Sequence, residues 1–291
     1  MKYEKIILLL FIFILGCAIW FIFNMSVSCA NRGLDPFEAD NGKVYFLTFG
    51  TTDQYQKSLE RICSQAKDLN VFDDIIVYNE TDLKSIPEFW ERNKEFVESN
   101  KRGYGYWIWK PYLILKTLKQ MKEADVLVYC DCGSTLRSAG RSQMLEFIEL
   151  SKTAENGILG FSLDANGSDF FFEKKWTKMD VFHKLNIKES ELEFFESPQI
   201  CATEIILCKH KETVDFVQTW YDICMAENYK YVTDRPSEMS NHSSFVENRH
   251  DQSIYSLMLK KTNRMKLITE HGVENPFNET FPIYNSRIKG D

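Results

Sequence analysis

Segments with the pattern of buried strands alternate with segments with the pattern of helices along most of this chain. The strand candidates are rich in β-branched and aromatic residues, as in KVYFLTF (Lys43 to Phe49) and DVLVYCD (Asp125 to Asp131). The segment from Asp53 to Leu69 carries apolar residues every three or four positions, which predicts an amphipathic helix. This alternation predicts an α/β fold: a single domain with a mostly parallel central sheet flanked by helices. Ligands of such sheets bind beyond the carboxyl ends of the strands.

The N-terminus carries the longest apolar run. Its core, IILLLFIFILGCAIWFIF, has 18 consecutive uncharged residues, enough to span a bilayer core of ~30 Å as a helix. Lys2 and Lys5 precede the run and favour a cytoplasmic N-terminus. A cleaved signal peptide ending near Ala30 is the alternative. The predicted organisation is a cytoplasmic tail (1–5), a transmembrane signal-anchor (6–27), a stem (28–42) and a lumenal domain (43–291).

Glycosylation sequons are consistent with a lumenal address. Within the predicted lumenal domain they begin at Asn79, Asn166, Asn241 and Asn278. The chain is therefore predicted to be a single-pass type II membrane protein of the endoplasmic reticulum or Golgi. Of its eight cysteines, Cys17 lies in the anchor, which leaves an odd number beyond it and at least one without an intramolecular partner.

The overall charge excludes one class of partner. The formal net charge is -7, whereas a nucleic-acid binder needs a basic face to neutralise phosphates. No nucleic-acid partner is therefore expected.

The segment DVLVYCDCGS places a carboxylate where a strand ends. Asp131 follows the hydrophobic run directly, and Gly133 comes two residues later. A carboxylate in this position can hold a hard divalent cation, which in turn neutralises a diphosphate. The alternative is that Asp131 only caps the turn after the strand.

The segment RGYGYWIWKP combines an anion-binding signal with aromatic rings. Pro111 suits the first turn of a helix, which we expect to begin there, and the helix N-terminus and Lys110 together favour an anion. Arg102 adds charge nearby, and the rings of Tyr106 and Trp109 offer faces to a base or a sugar. A nucleotide sugar combines these features. The alternative is an aromatic core cluster.

Taken together, G-Y-G-Y-W-x-W-K-P, a helix and then L-V-Y-C-D-C-G resemble the nucleotide-sugar-dependent glycosyltransferases of the GT-A fold. The resemblance implies that Asp131 contacts the donor and its Mn²⁺ or Mg²⁺ ion, that Lys110 contacts the donor, and that the loop of Thr48, Phe49 and Gly50 receives the nucleotide. The third position of the family's Asp-x-Asp motif is here Gly133, which leaves metal dependence open.

Later segments supply candidates for the acceptor and for catalysis. Gln199 and Glu204 could contact an acceptor sugar, although a core strand with polar positions is the alternative. Asp251 begins a predicted helix and could take the proton from the attacking hydroxyl, or it is only an N-cap. His271 is a candidate second metal ligand.

The leading hypothesis is a membrane-anchored glycosyltransferase that transfers a sugar from a nucleoside-diphosphate sugar to a glycan or glycoprotein. We expect Asp131 and Lys110 to face each other across a cleft wide enough for a pyrophosphate. The alternative is a non-catalytic carbohydrate-binding or scaffold protein that keeps the fold. An α/β phosphatase or hydrolase ranks last, because no nucleophile elbow is present.

Overall fold

The computed structural model describes residues 42–164, 167–269 and 271–289. The predicted tail, the predicted membrane anchor and all of the predicted stem except Gly42 lie outside these ranges. Within them, no helix is both long enough and apolar enough to cross a bilayer.

The described elements alternate as predicted. The strands are β1 (Val44–Phe49), β2 (Asp74–Tyr78), β3 (Val126–Cys130), β4 (Thr135–Leu136), β5 (Ile158–Phe161), β6 (Glu204–Cys208), β7 (Lys266–Ile268) and β8 (Ile283–Tyr284). The helices are α1 (Thr52–Leu69), α2 (Glu80–Lys84), α3 (Pro87–Ser99), α4 (Trp109–Gln120), α5 (Arg141–Thr153), α6 (Glu173–Trp176), α7 (Met179–Lys184), α8 (Leu192–Phe195), α9 (Lys211–Tyr229) and α10 (Asp251–Thr262).

The central sheet is mixed but mostly parallel. Its strand order is β2-β1-β3-β6-β5-β7. β1 pairs parallel with β2 and with β3, and β5 pairs parallel with β7. β6 runs antiparallel to both of its neighbours, β3 and β5. The mixed α/β domain therefore has the predicted architecture, and the sheet changes direction between β3 and β6.

Helices cover both faces of the sheet, so β3 is buried along its whole length. Alternate residues of a strand point to opposite faces. Leu127 and Tyr129 pack in one core with α4, α9 and α10, whereas Val128 and Cys130 pack in the other with α1 and α5. This alternation continues into the residue after the strand, and it directs the side chain of Asp131 toward the face that carries α4 and α10.

A left-handed turn precedes α4. Five consecutive residues, Gly103 to Trp107, have φ between 53° and 88°, a region that L-residues rarely adopt. α4 then begins at Trp109, two residues before the expected start at Pro111. Proline fits within the first turn because its missing N–H would have no helical partner there. We refer to residues 103–107 as the left-handed turn.

The pattern of apolar residues from Ile200 to Cys208 is typical of a strand, but only the second half of this segment forms one. Regular pairing starts at Glu204, and the preceding backbone is instead bound by side chains. The amide of Ala202 donates to Gln252 Oε1 over 3.1 Å, and the carbonyl of Ala202 accepts from Lys110 Nζ over 3.0 Å. Contacts with Gln252 and Lys110 thus take the place of regular strand pairing at Ala202.

Candidate active site

Three predicted site residues meet in one cluster. Lys110 Nζ lies 3.2 Å from Asp131 Oδ1 and 3.3 Å from Asp251 Oδ2. Lys110 comes from the first turn of α4, Asp131 follows β3, and Asp251 is the first residue of α10. We call these three residues the carboxylate–lysine cluster. The predictions for Lys110, Asp131 and Asp251 thus fall in one place, although the three are far apart in sequence.

The expected cleft between Lys110 and Asp131 is absent, and that expectation was wrong. The two side chains are in direct contact, because an ammonium that is 3% exposed must be paired inside the fold. The Asp131 side chain is 30% exposed and forms the open side of the cluster. Its Oδ1 accepts a hydrogen bond from Tyr129 and forms an ion pair with Lys110, whereas its Oδ2 accepts no hydrogen bond from the described residues. A ligand would therefore meet Asp131 and not Lys110.

Burial and mutual contact shift the pKa values of the residues in the cluster. Burial would lower the pKa of Lys110, but the two carboxylates raise it well above its usual range. Burial raises the pKa of Asp251 to about 6, since Lys110 only partly offsets the cost of burying the charge. Burial and the neighbouring Asp131 raise the pKa of Tyr129, which stays a neutral donor to Asp131. Lys110 is therefore cationic at neutral pH, and the raised pKa of Asp251 leaves this carboxylate mostly ionised there.

The loop after Asp131 is tied to the C-terminal segment. The carbonyl of Gly133 accepts from the amide of Ile288 over 3.0 Å and from Ser286 Oγ over 2.9 Å. A Cβ at position 133 would lie 3.5 Å from the nearest atom, which is ordinary contact, so packing alone does not require glycine there. The chain end thus covers the Asp-x-Gly loop on one side.

The residues around Asp131 fit a cation only if other ligands complete its shell. No group of three or more His, Cys, Asp or Glu side chains in the described ranges could hold a metal ion. His271 begins a short 3₁₀ helix (His271–Glu274), but its side chain lies outside what the structure describes. Oδ2 of Asp131 is one available carboxylate oxygen, and Mg²⁺ sites commonly combine one or two carboxylates with substrate phosphates and water. This available oxygen supports the prediction that Asp131 binds a metal ion. The prediction that His271 is a second ligand stays a prediction.

The predicted nucleotide loop is largely buried. Thr48 Oγ1 donates to the carbonyl of Cys130 over 2.8 Å, which fixes the end of β1 against the end of β3. Phe49 packs on Trp109 with 4.0 Å between ring centroids. A Cβ on Gly50 would meet Cys132 Sγ at 2.8 Å. Thr48, Phe49, Gly50 and Trp109 thus shape the wall beside the cluster, and their contact with a donor stays a prediction.

The charge of Arg102 is already compensated. Its guanidinium pairs with Asp234 over 3.2 Å and with Glu247 over 3.1 Å. The hydroxyl of Tyr106 donates to the same Asp234 over 3.1 Å. These two predicted donor contacts therefore bind the long segment between α9 and α10, and contact of either with a donor stays a prediction.

The two predicted acceptor residues are both buried. Gln199 Nε2 donates to Thr177 Oγ1 over 2.9 Å, and its Oε1 accepts from Gln252 over 2.8 Å, so it holds the residue that follows Asp251. Glu204 is fully buried on the opposite face of the sheet, and neither carboxylate oxygen has a hydrogen-bond partner among the described residues. Direct contact of Gln199 or Glu204 with an acceptor stays a prediction.

Sequence reasoning missed three groups around the cluster. Tyr129 could have been found, because it lies two residues before Asp131 and a strand places both on one face. The carbonyl of Ala202 and the side chain of His250, next to Asp251, gave no signal. The positions of both groups depend on backbone conformations that the residue pattern does not predict.

Two open hollows lie elsewhere on the surface. One, of about 440 Å³, is lined by α1 residues together with Val77 and Asn79. The other, of about 420 Å³, lies beside Arg137 and Glu279. Neither is lined by a residue of the carboxylate–lysine cluster.

Comparisons with known proteins give distant likenesses. No protein family profile and no curated protein sequence matches this chain. The glycosyltransferase GlyE of Streptococcus pneumoniae TIGR4 is 12% identical with a TM-score of 0.41, over 78% of this chain and 45% of its own. Mouse xyloside xylosyltransferase 1 is 11% identical with a TM-score of 0.43, over 83% and 97%. The galactosyltransferase LgtC, solved with donor and acceptor sugar analogues, is 13% identical with a TM-score of 0.39, over 77% and 72%. At TM-scores below 0.5 these likenesses decide neither the family nor the function of this chain.

Glu204 predicts an unusual dependence of stability on pH. Burial raises the pKa of Glu204 to about 8 from an ordinary value of 4.5, so between these values the folded chain binds more protons than the unfolded chain. Its contribution to the free energy of unfolding therefore falls as pH rises from about 4.5 to 8. We expect Glu204→Gln to match the wild type at pH 5 and to be more stable at pH 9, by on the order of a few kcal/mol.

Urea unfolding of the full-length chain in detergent at both pH values measures this difference. Glu193→Gln, at an exposed position of α8, is the matched control and should change stability equally little at both. A Glu204→Gln variant that is destabilised at pH 9 would contradict the burial of an uncompensated carboxylate.

Proposed function

We propose that this chain is a GT-A-type glycosyltransferase that transfers a sugar from a nucleoside-diphosphate sugar to a hydroxyl of a glycan or glycoprotein. The observation that carries the proposal is the carboxylate–lysine cluster at the carboxyl end of β3. The cluster lies at the carboxyl end of β3, beside β1. These two strands are neighbours although β2 comes between them in sequence, so the strand order reverses here, and open α/β sheets bind ligands at such a point. It contains one open carboxylate, one buried cation and one buried carboxylate whose pKa is raised to about 6.

The net charge of the cluster determines whether a diphosphate donor needs additional positive charge at the site. Lys110 with Asp131 and Asp251, both ionised, carries one positive and two negative charges, a net of -1. A diphosphate would be repelled unless further positive charge arrived with it. Asp131 would hold a divalent cation through Oδ2, and a bound cation would neutralise the diphosphate. The residues of the site thus fit a cation whose remaining ligands come from the donor.

Lys110 lies on the buried side of Asp131 and affects the donor site through its charge. Its ammonium fixes the orientation of Asp131 and offsets charge at the edge of the site without contacting solvent. A preorganised cation of this kind stabilises negative charge that develops on a leaving diphosphate, because it needs no rearrangement during the reaction.

Asp251 has the properties of a general base. Its Oδ2 accepts no hydrogen bond of good geometry from the described residues, and its close cation is Lys110. In the proposed step the acceptor oxygen forms a bond to the anomeric carbon, the bond from that carbon to the diphosphate breaks, and the hydroxyl proton passes to Asp251. Asp251 is 3% exposed, so this step requires that binding of donor and acceptor makes its carboxylate accessible. A pKa of about 6 keeps most of the base ionised at neutral pH.

Substitution of Asp131 tests the donor site. We expect Asp131→Asn to lower the rate of sugar transfer or donor hydrolysis by about 10²-fold or more, because the open carboxylate is lost. The full-length chain is assayed with a panel of UDP- and GDP-sugars, with and without Mn²⁺, and Asp222→Asn on the exposed face of α9 is the matched control. Full activity of Asp131→Asn would place the site elsewhere. Glycan binding without donor binding would favour the scaffold alternative.

Asp251 predicts the acid limb of the pH profile. A base must be ionised, so kcat/KM should rise about tenfold per pH unit below pH 6 and level off above it. Asp251→Asn should lower kcat by about 10²-fold to 10⁴-fold. Rates of the active transfer reaction between pH 4.5 and 8 measure both effects. An unchanged acid limb in Asp251→Asn would assign the base to another residue.

We also propose the lumenal topology that the N-terminal sequence predicts, with residues 6–27 as anchor. The acceptor would then be a glycan or glycoprotein of the endoplasmic reticulum or Golgi. Translation into microsomes should protect the domain from added protease and give N-glycans that are lost when Asn79, Asn166, Asn241 and Asn278 are all changed to Gln. A domain that is digested and unglycosylated would reverse the topology.

A further inference from the structure

The residue before Asp251 has a backbone conformation that normally belongs to glycine. His250 has φ 56° and ψ −121°. These angles are those of the first central position of a type II′ turn, where glycine is favoured because a Cβ is strained. Strained residues persist only where the surroundings hold them, and they concentrate at functional sites. His250 is adjacent in sequence to the carboxylate assigned above as the base.

The histidine ring is held on several sides. Nδ1 lies 2.6 Å from the carbonyl of Val232 and therefore carries the proton of the neutral ring. The ring packs against Trp107 with 5.2 Å between centroids and 24° between planes, and against Tyr106 at 5.0 Å. His250 is 3% exposed. The anchoring of the ring thus offsets the strain of the backbone.

The rings that hold His250 belong to the second strained segment. Trp107 and Tyr106 are in the left-handed turn, which directly precedes α4. The amide of Lys110 donates to the carbonyl of Trp107 over 2.9 Å, so the turn is joined to the lysine of the cluster. One strained segment therefore precedes Lys110, the other precedes Asp251, and the two pack on each other.

We propose that His250 is a positioning residue that, with the left-handed turn, holds Asp251 Oδ2 against Lys110 Nζ. The side chain of His250 contacts neither Lys110 nor Asp131 in the described structure and acts through the backbone of Asp251. The kinetic part of this proposal rests on the proposed function, whereas the structural part does not. The proposal gives a physical reason for glycines and aromatic rings before α4: the glycines permit the turn, and the rings anchor His250.

Two replacements of His250 separate positioning from ordinary packing. Both His250→Ala and His250→Gly remove the ring, but only glycine adopts φ 56° without strain. An ordinary buried histidine would make glycine the worse replacement, because glycine loses more conformational entropy on folding. We expect the opposite order: His250→Gly should melt about 2–4 °C above His250→Ala in the full-length chain. His183→Ala, at an exposed position of α7, is the control for loss of a histidine and should melt with the wild type.

The sugar-transfer assay tests whether His250→Gly is again less impaired than His250→Ala. His250→Ala should lower kcat about tenfold or more, His250→Gly should lower it less, and the KM for the donor should change less than about twofold in both. A larger loss in His250→Gly than in His250→Ala, or an unchanged kcat in His250→Ala, would overturn the proposal.

A crystal structure of each variant tests positioning without any activity. We expect the distance from Lys110 Nζ to Asp251 Oδ2, now 3.3 Å, to exceed about 4 Å in His250→Ala and to stay within that limit in His250→Gly. An unchanged distance in His250→Ala would overturn the proposal. If the wild type transfers no sugar, the proposed function fails while the melting order and this distance still decide the role of His250.

Discussion

A buried ammonium group constrains the whole neighbourhood of β3. Lys110 is almost inaccessible to water, and the cost of removing its charge from water is compensated only by groups that surround it. Asp131, Asp251 and the carbonyl of Ala202 supply that compensation from three separate elements. The ends of α4, β3 and α10 are therefore fixed relative to one another by one side chain. Loss of either carboxylate would change the electrostatic environment of Lys110 and of the remaining carboxylate.

The pairing of Lys110 with two aspartates also explains why the site lacks free positive charge. With both aspartates ionised the cluster is negative overall, and two arginines of its surroundings are already paired with carboxylates. Arg102 pairs with Asp234 and Glu247, and Arg287 pairs with Glu274. A diphosphate thus cannot rely on these side chains alone, which gives the proposed cation on Asp131 a physical basis in the charge of the site.

Much of this arrangement followed from local sequence rules. Strand and helix periodicity predicted the α/β domain, and the end of a hydrophobic strand predicted the position of Asp131. The position of Asp251 at a helix start was also predicted. Other expectations depended on groups distant in sequence. The separation of Lys110 from Asp131 was predicted wrongly, because the residues suggested two partners of a ligand and gave no sign that they were partners of each other. Gln199 and Glu204 were expected on a strand, but their burial depends on α10 and on the C-terminal segment.

The sequence by itself determined the order of the elements and the chemistry of the cluster residues, because periodicity and residue type act locally. The tertiary structure decided which charges are paired, which carboxylate stays open and how far each pKa moves. Those outcomes depend on burial and on contacts between residues more than a hundred positions apart, such as Lys110 and Asp251. The strained backbone of His250 and of the left-handed turn was likewise decided by packing, since only surrounding contacts can hold residues in conformations that their own sequence disfavours.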